Sequence, residues 1–381
     1  MLNRFLITCF TMCFSVLVQA QALIPAPPQL AATAYLLMDA HTGQVLIEYD
    51  ADKQIPPASL TKMMTSYIVS DEIGNGSVKM DDEVRISEKA WRMGGSKMFV
   101  KVGDRVKVSD LLRGVIIQSG NDASVALAEH VAGSEDAFVD VMNQQAELLG
   151  MQDTHFKNST GWPAEGHLTT ARDLATLGRA LIRDHPEHYK IYSEKYFNFN
   201  GINQPNRNRL LWRDNSVDGI KTGHTEEAGY CLVSSAVKRG MRLIAVVTGT
   251  KSDEKRASES QKLLTYGFRY FQTHKVYGSG DVLQTEPVWF GAADQVEIAV
   301  SEDVFATIPR GGEDKLKAEL VMDGELEAPL TKGQQVGKVV VQLDGTTIAE
   351  VPAVAAEAVE EGGFFKRIWD HIKRFVMGLF A

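Results

Sequence analysis

Strand-forming runs bracket a long helix-forming stretch, and that order limits the folds open to the chain. Residues 34–49 read as a β-hairpin, two β-rich runs around the turn formers of residues 39–43. Far downstream, residues 230–237 and 241–248 make a second hairpin through Lys238-Arg239-Gly240, and residues 218–225 add a short strand interrupted by polar side chains. Residues 257–272 return to helix, with Leu263, Leu264, Tyr266, Gly267, Phe268 and Phe271 in one stripe. Hairpin connections predict an antiparallel sheet built from both ends of the stretch, whereas alternating βαβ units would give a parallel one. The expected class is α/β, of the α+β kind, with a helical insertion enclosed by the sheet's first and last strands.

Within the insertion, Pro56-Pro57 end an extended segment and a helix follows, since proline fits a first turn but not an interior. Leu60, Met63, Met64, Tyr67 and Ile68 form its apolar face, and Gly74-Asn75-Gly76 ends it. Ser109 is expected to cap a helix over 110–118 and Asp122 one over 123–132 stopped by Gly133; a third covers 134–150. Thr170 opens a fourth, through Leu181, and Pro186 closes the region. Ser119-Gly120-Asn121 therefore falls in a tight connection between helices, where polar side chains can face a cleft. Residues 91–99, around Gly94-Gly95, read as a loop whose backbone can approach a ligand closely.

Past Gly280 the character changes. Residues 281–355 alternate in short runs, and Asp344-Gly345 between two of them is a two-residue hairpin signal, so a small all-β domain is expected. Residues 353–363 read as an acidic, small-residue linker. In the tail, apolar residues at 364, 365, 368, 369, 372, 375, 376, 379 and 380 share one helical face, with Lys366, Arg367, Asp370, Lys373 and Arg374 on the other. Such a basic amphipathic helix suits a membrane interface, its cations facing anionic headgroups. At the other end, Arg4, apolar residues through Val18 and small residues near position 20 read as a secretory signal peptide, its apolar run shorter than the ~20 residues of a membrane span. Cleavage removes Cys9 and Cys13, leaves Cys231 without an intrachain partner, and makes the net charge of −9 one unit more negative. That acidity argues against a nucleic-acid partner. Zinc-ligand spacing is missing, so neither metal nor cofactor is expected. The expected segments are a signal peptide (1–20), a first domain (21–275), the β domain (276–355), and a linker with an anchor helix (356–381).

Three short motifs stand in order along these elements: Ser59-Leu60-Thr61-Lys62 opening a helix, Ser119-Gly120-Asn121 between helices, and Lys221-Thr222-Gly223 on a strand. Three residues apart on a helix, Ser59 and Lys62 lie one above the other, a hydroxyl beside an amine. Such a pair is a nucleophile and its base when the lysine is neutral, and both burial and a second cation such as Lys221 lower a lysine pKa. The set and its order resemble those of the low-molecular-mass penicillin-binding proteins, the D-alanyl-D-alanine carboxypeptidases. The likeness continues through Asn206-Arg207-Asn208, residues 218–225, residues 286–291, Ile308-Pro309-Arg310-Gly311 and the amphipathic tail.

The resemblance implies a penicillin-binding/β-lactamase-like transpeptidase domain, then the small all-β domain and the C-terminal helix. It implies that Ser59 attacks the peptide bond between the two terminal D-alanines of a peptidoglycan pentapeptide stem, forming an acyl-enzyme. Lys62 would be the base, Ser119 would relay a proton to the leaving amine, and Asn121 would orient Lys62 and the substrate amide. Backbone N–H groups of Ser59 and His224 would form the oxyanion hole. The substrate's free carboxylate calls for Lys221, the hydroxyls of Thr222 and Thr225, and the guanidinium of Arg207, and the resemblance counts Gly223 and His224 among the substrate-binding residues too. β-Lactams would acylate Ser59 as covalent inhibitors. The implied place is the periplasm, at the outer face of the inner membrane. A D,D-endopeptidase or a β-lactamase fits the same motifs, and a penicillin-binding sensor without turnover keeps acylation alone. Class A β-lactamases add a glutamate that activates water; Glu165 stands in a superficially similar stretch, which a turn before a helix explains more simply.

Overall fold

In the computed structural model, which describes residues 24–378, five strands form the first sheet: β1 (Ala34–Asp39), β2 (Val45–Tyr49), β3 (Val217–Thr225), β4 (Gly229–Lys238) and β5 (Met241–Thr250). The order is β2-β1-β5-β4-β3, and every pairing is antiparallel. The first and last strands of this stretch meet in the middle of the sheet, where Leu36 lies opposite Val246. Strand alternation divides the side chains between two cores. Ala34, Leu36 and Met38 of β1, with Ile244 and Val246 of β5, enter one; Tyr35, Leu37, Leu243, Ala245 and Val247 enter the other.

The first core is closed by the insertion, whose principal helices are α1 (Lys62–Gly74), α2 (Asn121–Ala132), α3 (Glu135–Leu148) and α4 (Ala171–Asp184). The second is closed by α5 (Asp253–Tyr270). At Gly267 a Cβ would stand 2.5 Å from Leu243 Cδ1, so α5 lies directly on the sheet. Helix α1 departs from its expected single apolar face: it is buried on all sides from Lys62 to Ser70, because the insertion wraps it. Its polar side chains are satisfied inside; Thr65 Oγ1 donates to the Ser159 carbonyl at 2.7 Å, and the Ser66 and Tyr192 hydroxyls meet at 2.5 Å.

Several boundaries differ from the sequence expectation. The helix placed at 110–118 begins at Val108, with Ser109 inside it, runs to Arg113 and widens into a π turn over Gly114–Gln118. Asp122 does not cap α2, which starts at Asn121 with Gly120 as its N-cap. Pro186 opens a helical turn, Pro186–Tyr189, where its missing N–H costs nothing. Ser252 caps α5, accepting from the Lys255 N–H at 3.1 Å, so that helix starts four residues earlier than expected.

The β domain contains β6 (Phe271–Tyr277), β7 (Val282–Trp289), β8 (Gln295–Val300), β9 (Val304–Pro309), β10 (Leu316–Met322), β11 (Leu326–Glu327), β12 (Gln335–Leu343) and β13 (Thr346–Ala355). β6 pairs with β9, so this pairing begins before the change in composition near Gly280. The others form a sheet in the order β10-β12-β13-β8-β7-β11. Asp344 and Gly345 both have positive φ, 52° and 81°, as the tight β12–β13 hairpin requires.

The expected linker at 353–363 is instead fastened: residues 353–355 belong to β13, Val359 bridges to Leu330, and Glu361 bridges to Gly291. It delivers α6 (Phe364–Gly378), which turns its charged side toward the β domain. Buried Asp370 accepts from the Phe290 N–H at 3.0 Å and from Lys366 at 2.7 Å. Lys366 also pairs with Asp294, Arg367 with Glu361, and Arg374 with Glu325 and Glu327. Three of the four cations expected at lipid headgroups are thus paired with acids of the protein, while Phe365, Trp369 and Phe375 face outward. No helix among the described residues is long and apolar enough to cross a membrane. The signal peptide expected at 1–20, with Cys9 and Cys13, and apolar positions 379 and 380 lie outside the described residues; Cys231 is buried.

Candidate active site

Ser59 lies in the 3-10 turn Ala58–Thr61 that runs directly into α1, and Lys62 heads the helix. Their three-residue spacing brings Lys62 Nζ to 3.2 Å from Ser59 Oγ. The same nitrogen meets Asn121 Oδ1 at 2.7 Å and the Thr160 carbonyl at 2.5 Å. Lys62 is 1% exposed. Burial, and then the positive charge of Arg207, bring its pKa down to about 7, against an opposing pull from Asp122. Near neutrality much of this amine is therefore unprotonated and able to take a proton from Ser59.

Ser119 ends the π turn in the left-handed region, φ 62°. Gly120 permits the turn: a Cβ there would stand 2.8 Å from Asp122 Oδ1 and 3.1 Å from the Met98 nitrogen. The Asp122 carboxylate accepts the backbone N–H groups of Met98 and Phe99, both at 2.9 Å, and of Val100 at 3.3 Å, latching that loop to α2. Asn121 is held by the same loop. Its backbone N–H donates to the Ser96 carbonyl and its Nδ2 to the Gly94 carbonyl, both at 2.8 Å, which leaves Oδ1 for Lys62. The close approach expected of Gly94-Gly95 toward a ligand is made to protein: a Cβ at Gly95 would stand 2.9 Å from Asn121 Nδ2 and 3.2 Å from the Trp162 ring.

Strand β3 is the edge strand beside this turn, and Lys221 Nζ donates to Ser119 Oγ at 2.9 Å. Lys221 is almost fully buried, and burial, then Lys62, Arg207 and Arg256, drive its pKa well down. Two buried asparagines fix Arg207 between them; Asn208 Nδ2 donates to the Gly219 carbonyl at 2.8 Å and Asn206 Nδ2 to that of Glu194 at 3.1 Å. Arg207 Nε donates to the Gln118 carbonyl at 3.0 Å. Arg207, Thr222, Gly223 and His224 line a cleft of about 570 Å³ together with Ser59 and Ser119.

Thr225 is not brought to this cleft. Its hydroxyl accepts the Ala228 N–H at 3.0 Å in the β3–β4 turn, and it lines a neighbouring cleft of about 440 Å³ instead. Thr222 and Arg207, but not Thr225, therefore share the cleft with Ser59. Glu165 lines the neighbouring cleft as well. Among the described residues no cluster of three His, Cys, Asp or Glu side chains is fit to hold a metal ion.

Three parts of the site escape sequence reasoning. The Thr160 carbonyl that meets Lys62 is backbone, and only the asparagine-led turn around it leaves a trace: Asn158 Oδ1 accepts the N–H groups of Thr160, Gly161 and Trp162 at 3.2, 2.8 and 3.0 Å. Asp122 reads as a helix cap. Arg256 falls just before the helix expected at 257–272 and carries no motif, yet it is 7% exposed, pairs with Asp253 and lines the cleft.

A family model described as D-alanyl-D-alanine carboxypeptidase matches residues 21–252, and one described as the C-terminal domain of penicillin-binding protein 5 matches residues 271–361. The chain is 50% identical over 362 residues to the D-alanyl-D-alanine carboxypeptidase DacA of Escherichia coli, covering 93% of this chain and 90% of that one. It is 38% identical over 341 residues to the D-alanyl-D-alanine carboxypeptidase DacF of Bacillus subtilis, covering 87% of each. Penicillin binding protein 5 from Haemophilus influenzae superposes with a TM-score of 0.83 at 45% identity, over 88% of this chain and 100% of that one. Penicillin-binding protein D2 from Listeria monocytogenes, solved in an ampicillin-bound form, has a TM-score of 0.59 at 32% identity, over 64% of this chain and 100% of that one.

Proposed function

The chain belongs to the D-alanyl-D-alanine carboxypeptidase family, and from that membership we propose that it removes the terminal D-alanine from peptidoglycan pentapeptide stems as a serine D,D-carboxypeptidase. The observation that carries the assignment is the buried Lys62 amine, 3.2 Å from Ser59 Oγ with its pKa near neutrality. Ser59 Oγ attacks the carbonyl carbon of the penultimate D-alanine as its proton passes to Lys62. The carbonyl electron pair moves onto oxygen, where the N–H groups of Ser59 and His224 receive it. Collapse of this intermediate breaks the C–N bond; Ser119, hydrogen-bonded to Lys221, relays to the leaving amine the proton that Lys62 took from Ser59, which returns Lys62 to its neutral form. Water then hydrolyses the ester. Lys221, Thr222 and Arg207 bind the terminal carboxylate of the substrate.

A β-lactam follows the same first step, but its amine remains tethered to the acyl group and stays in the cleft. Labelled penicillin is expected to mark one peptide, the one containing Ser59, and to leave Ser59→Ala unlabelled; label on another serine contradicts the assignment. Glu165, in the neighbouring cleft, gives no support to a β-lactamase reading.

For location, the reading is a periplasmic enzyme held at the outer face of the inner membrane by α6. Support comes from the way α6 is mounted: its charged side is spent on the β domain, and its aromatic side is left outward, with Phe365 86% exposed. Deleting residues 364–381 is expected to move the protein from the membrane to the soluble fraction, and retention in the membrane fraction overturns the anchor.

A further inference from the structure

The guanidinium of Arg256 lines the same cleft as Ser59 and meets the backbone at the end of β3. Its Nη1 donates to the Gly223 carbonyl at 3.1 Å, and Nη2 is engaged by Asp253. Its central carbon sits 5.5 Å from the centre of the Tyr230 ring, and Tyr230 in turn packs at 4.0 Å against the His224 ring. Gly223 adds to the confinement: a Cβ on it would stand 3.1 Å from both Leu60 Cγ and the Pro57 carbonyl oxygen. The short segment Gly223-His224 is therefore held at its carbonyl, from the side and through its ring.

The Gly223 C=O and the His224 N–H are the two ends of one planar amide and point in opposite directions. A charged donor on the oxygen fixes the rotation of that plane. It also draws electron density toward the oxygen, which strengthens the N–H at the other end as a donor. We propose that Arg256 is a positioning residue for the oxyanion hole, orienting and polarising the Gly223–His224 amide so that the His224 N–H meets the carbonyl oxygen of the scissile bond. This rests on the reading of Ser59 as nucleophile and His224 N–H as an oxyanion donor. As the Ser59 Oγ–carbon bond forms and the π pair moves to oxygen, Arg256 responds through the amide without touching the substrate.

The competing role for a cleft arginine is direct binding of the substrate carboxylate, and the two roles separate with a ligand that has no carboxylate. A simple acylaminomethyl boronic acid forms a tetrahedral adduct on Ser59 and places an oxygen in the oxyanion hole. In the full chain, Arg256→Gln is expected to weaken boronate binding, and to slow turnover of a D-Ala-D-Ala peptide, by roughly 10- to 100-fold; removing an oxyanion donor outright costs ~10²–10³-fold. Arg256→Lys, which keeps a charged donor, is expected to recover much of both. Asp253 also pairs with Arg209, so either variant leaves that carboxylate a partner. Unchanged boronate affinity with a raised KM and unaltered kcat makes Arg256 a carboxylate ligand and overturns the proposal. Equal losses in Arg256→Gln and Arg256→Lys also overturn it, since charge at the Gly223 carbonyl would then be immaterial. Failure of the wild type to bind boronate or penicillin marks instead the failure of the Ser59 reading.

Discussion

Gly161→Ala is expected to slow acylation of Ser59 by at least ~100-fold, while Gly133→Ala leaves it within a few-fold of wild type. Both glycines have positive φ, 83° and 78°, so alanine pays a left-handed backbone cost of about 1 kcal/mol at either position. What differs is the space beyond. Nothing lies within 4 Å of a Cβ at Gly133, whereas at Gly161 it would stand 1.7 Å from the Ala58 oxygen, 2.3 Å from its carbonyl carbon and 2.9 Å from the Ser59 nitrogen. All three are backbone atoms and cannot swing aside. Ala58 is itself left-handed, φ 49°, so the backbone carrying the nucleophile is already confined to an uncommon conformation. The clash must displace either this turn or the turn that supplies the Thr160 carbonyl to Lys62, and a shift of about 1 Å between reacting groups can cost ~10²-fold. The expected reading is a fall of at least ~100-fold in the penicillin acylation rate, with a melting temperature below that of Gly133→Ala. Near wild-type acylation in Gly161→Ala shows that the 158–162 turn does not set the nucleophile.

The second large effect is on pH. With Lys62 titrating at about 7, the acylation rate is expected to rise as pH increases through neutrality and to level off once the amine is free. The sign follows from the chemistry: the base must be unprotonated, so activity is lost on the acid side. Arg207 contributes to holding that pKa down, so Arg207→Gln is expected to move the midpoint upward, in addition to weakening substrate binding. Lys62→Met, with no base at all, is expected to lose acylation at every pH. Rates of penicillin acylation measured from pH 5 to 9 check all three. A flat wild-type profile, or a downward shift in Arg207→Gln, contradicts Lys62 as the base.

The parts of this molecule that were legible in the sequence are those set by local patterning. Alternation and turn formers mark the β1–β2, β4–β5 and β12–β13 hairpins. Ser59 and Lys62 are neighbours because of helical spacing alone, so their contact followed from two letters three apart. What escaped depends on contacts between distant segments. The left-handed Ser119 exists because Gly120 fits against Asp122 and the Met98 amide, a contact across more than twenty residues. Thr222 and Thr225 look equivalent on paper, yet the turn to Ala228 claims one hydroxyl and leaves the other in the cleft. Amphipathic spacing gave α6 two faces without saying which one meets protein. That choice is made by Asp294, Glu325 and Glu327, which are scattered through the β domain and gather only when it folds, with Glu361 of the preceding segment beside them.

The most direct measurement is free D-alanine released from a peptide ending in D-Ala-D-Ala. Wild-type protein is expected to release one D-alanine per peptide over many turnovers, and Ser59→Ala none. Absence of release by wild-type protein, under conditions in which labelled penicillin still acylates Ser59, contradicts the assignment.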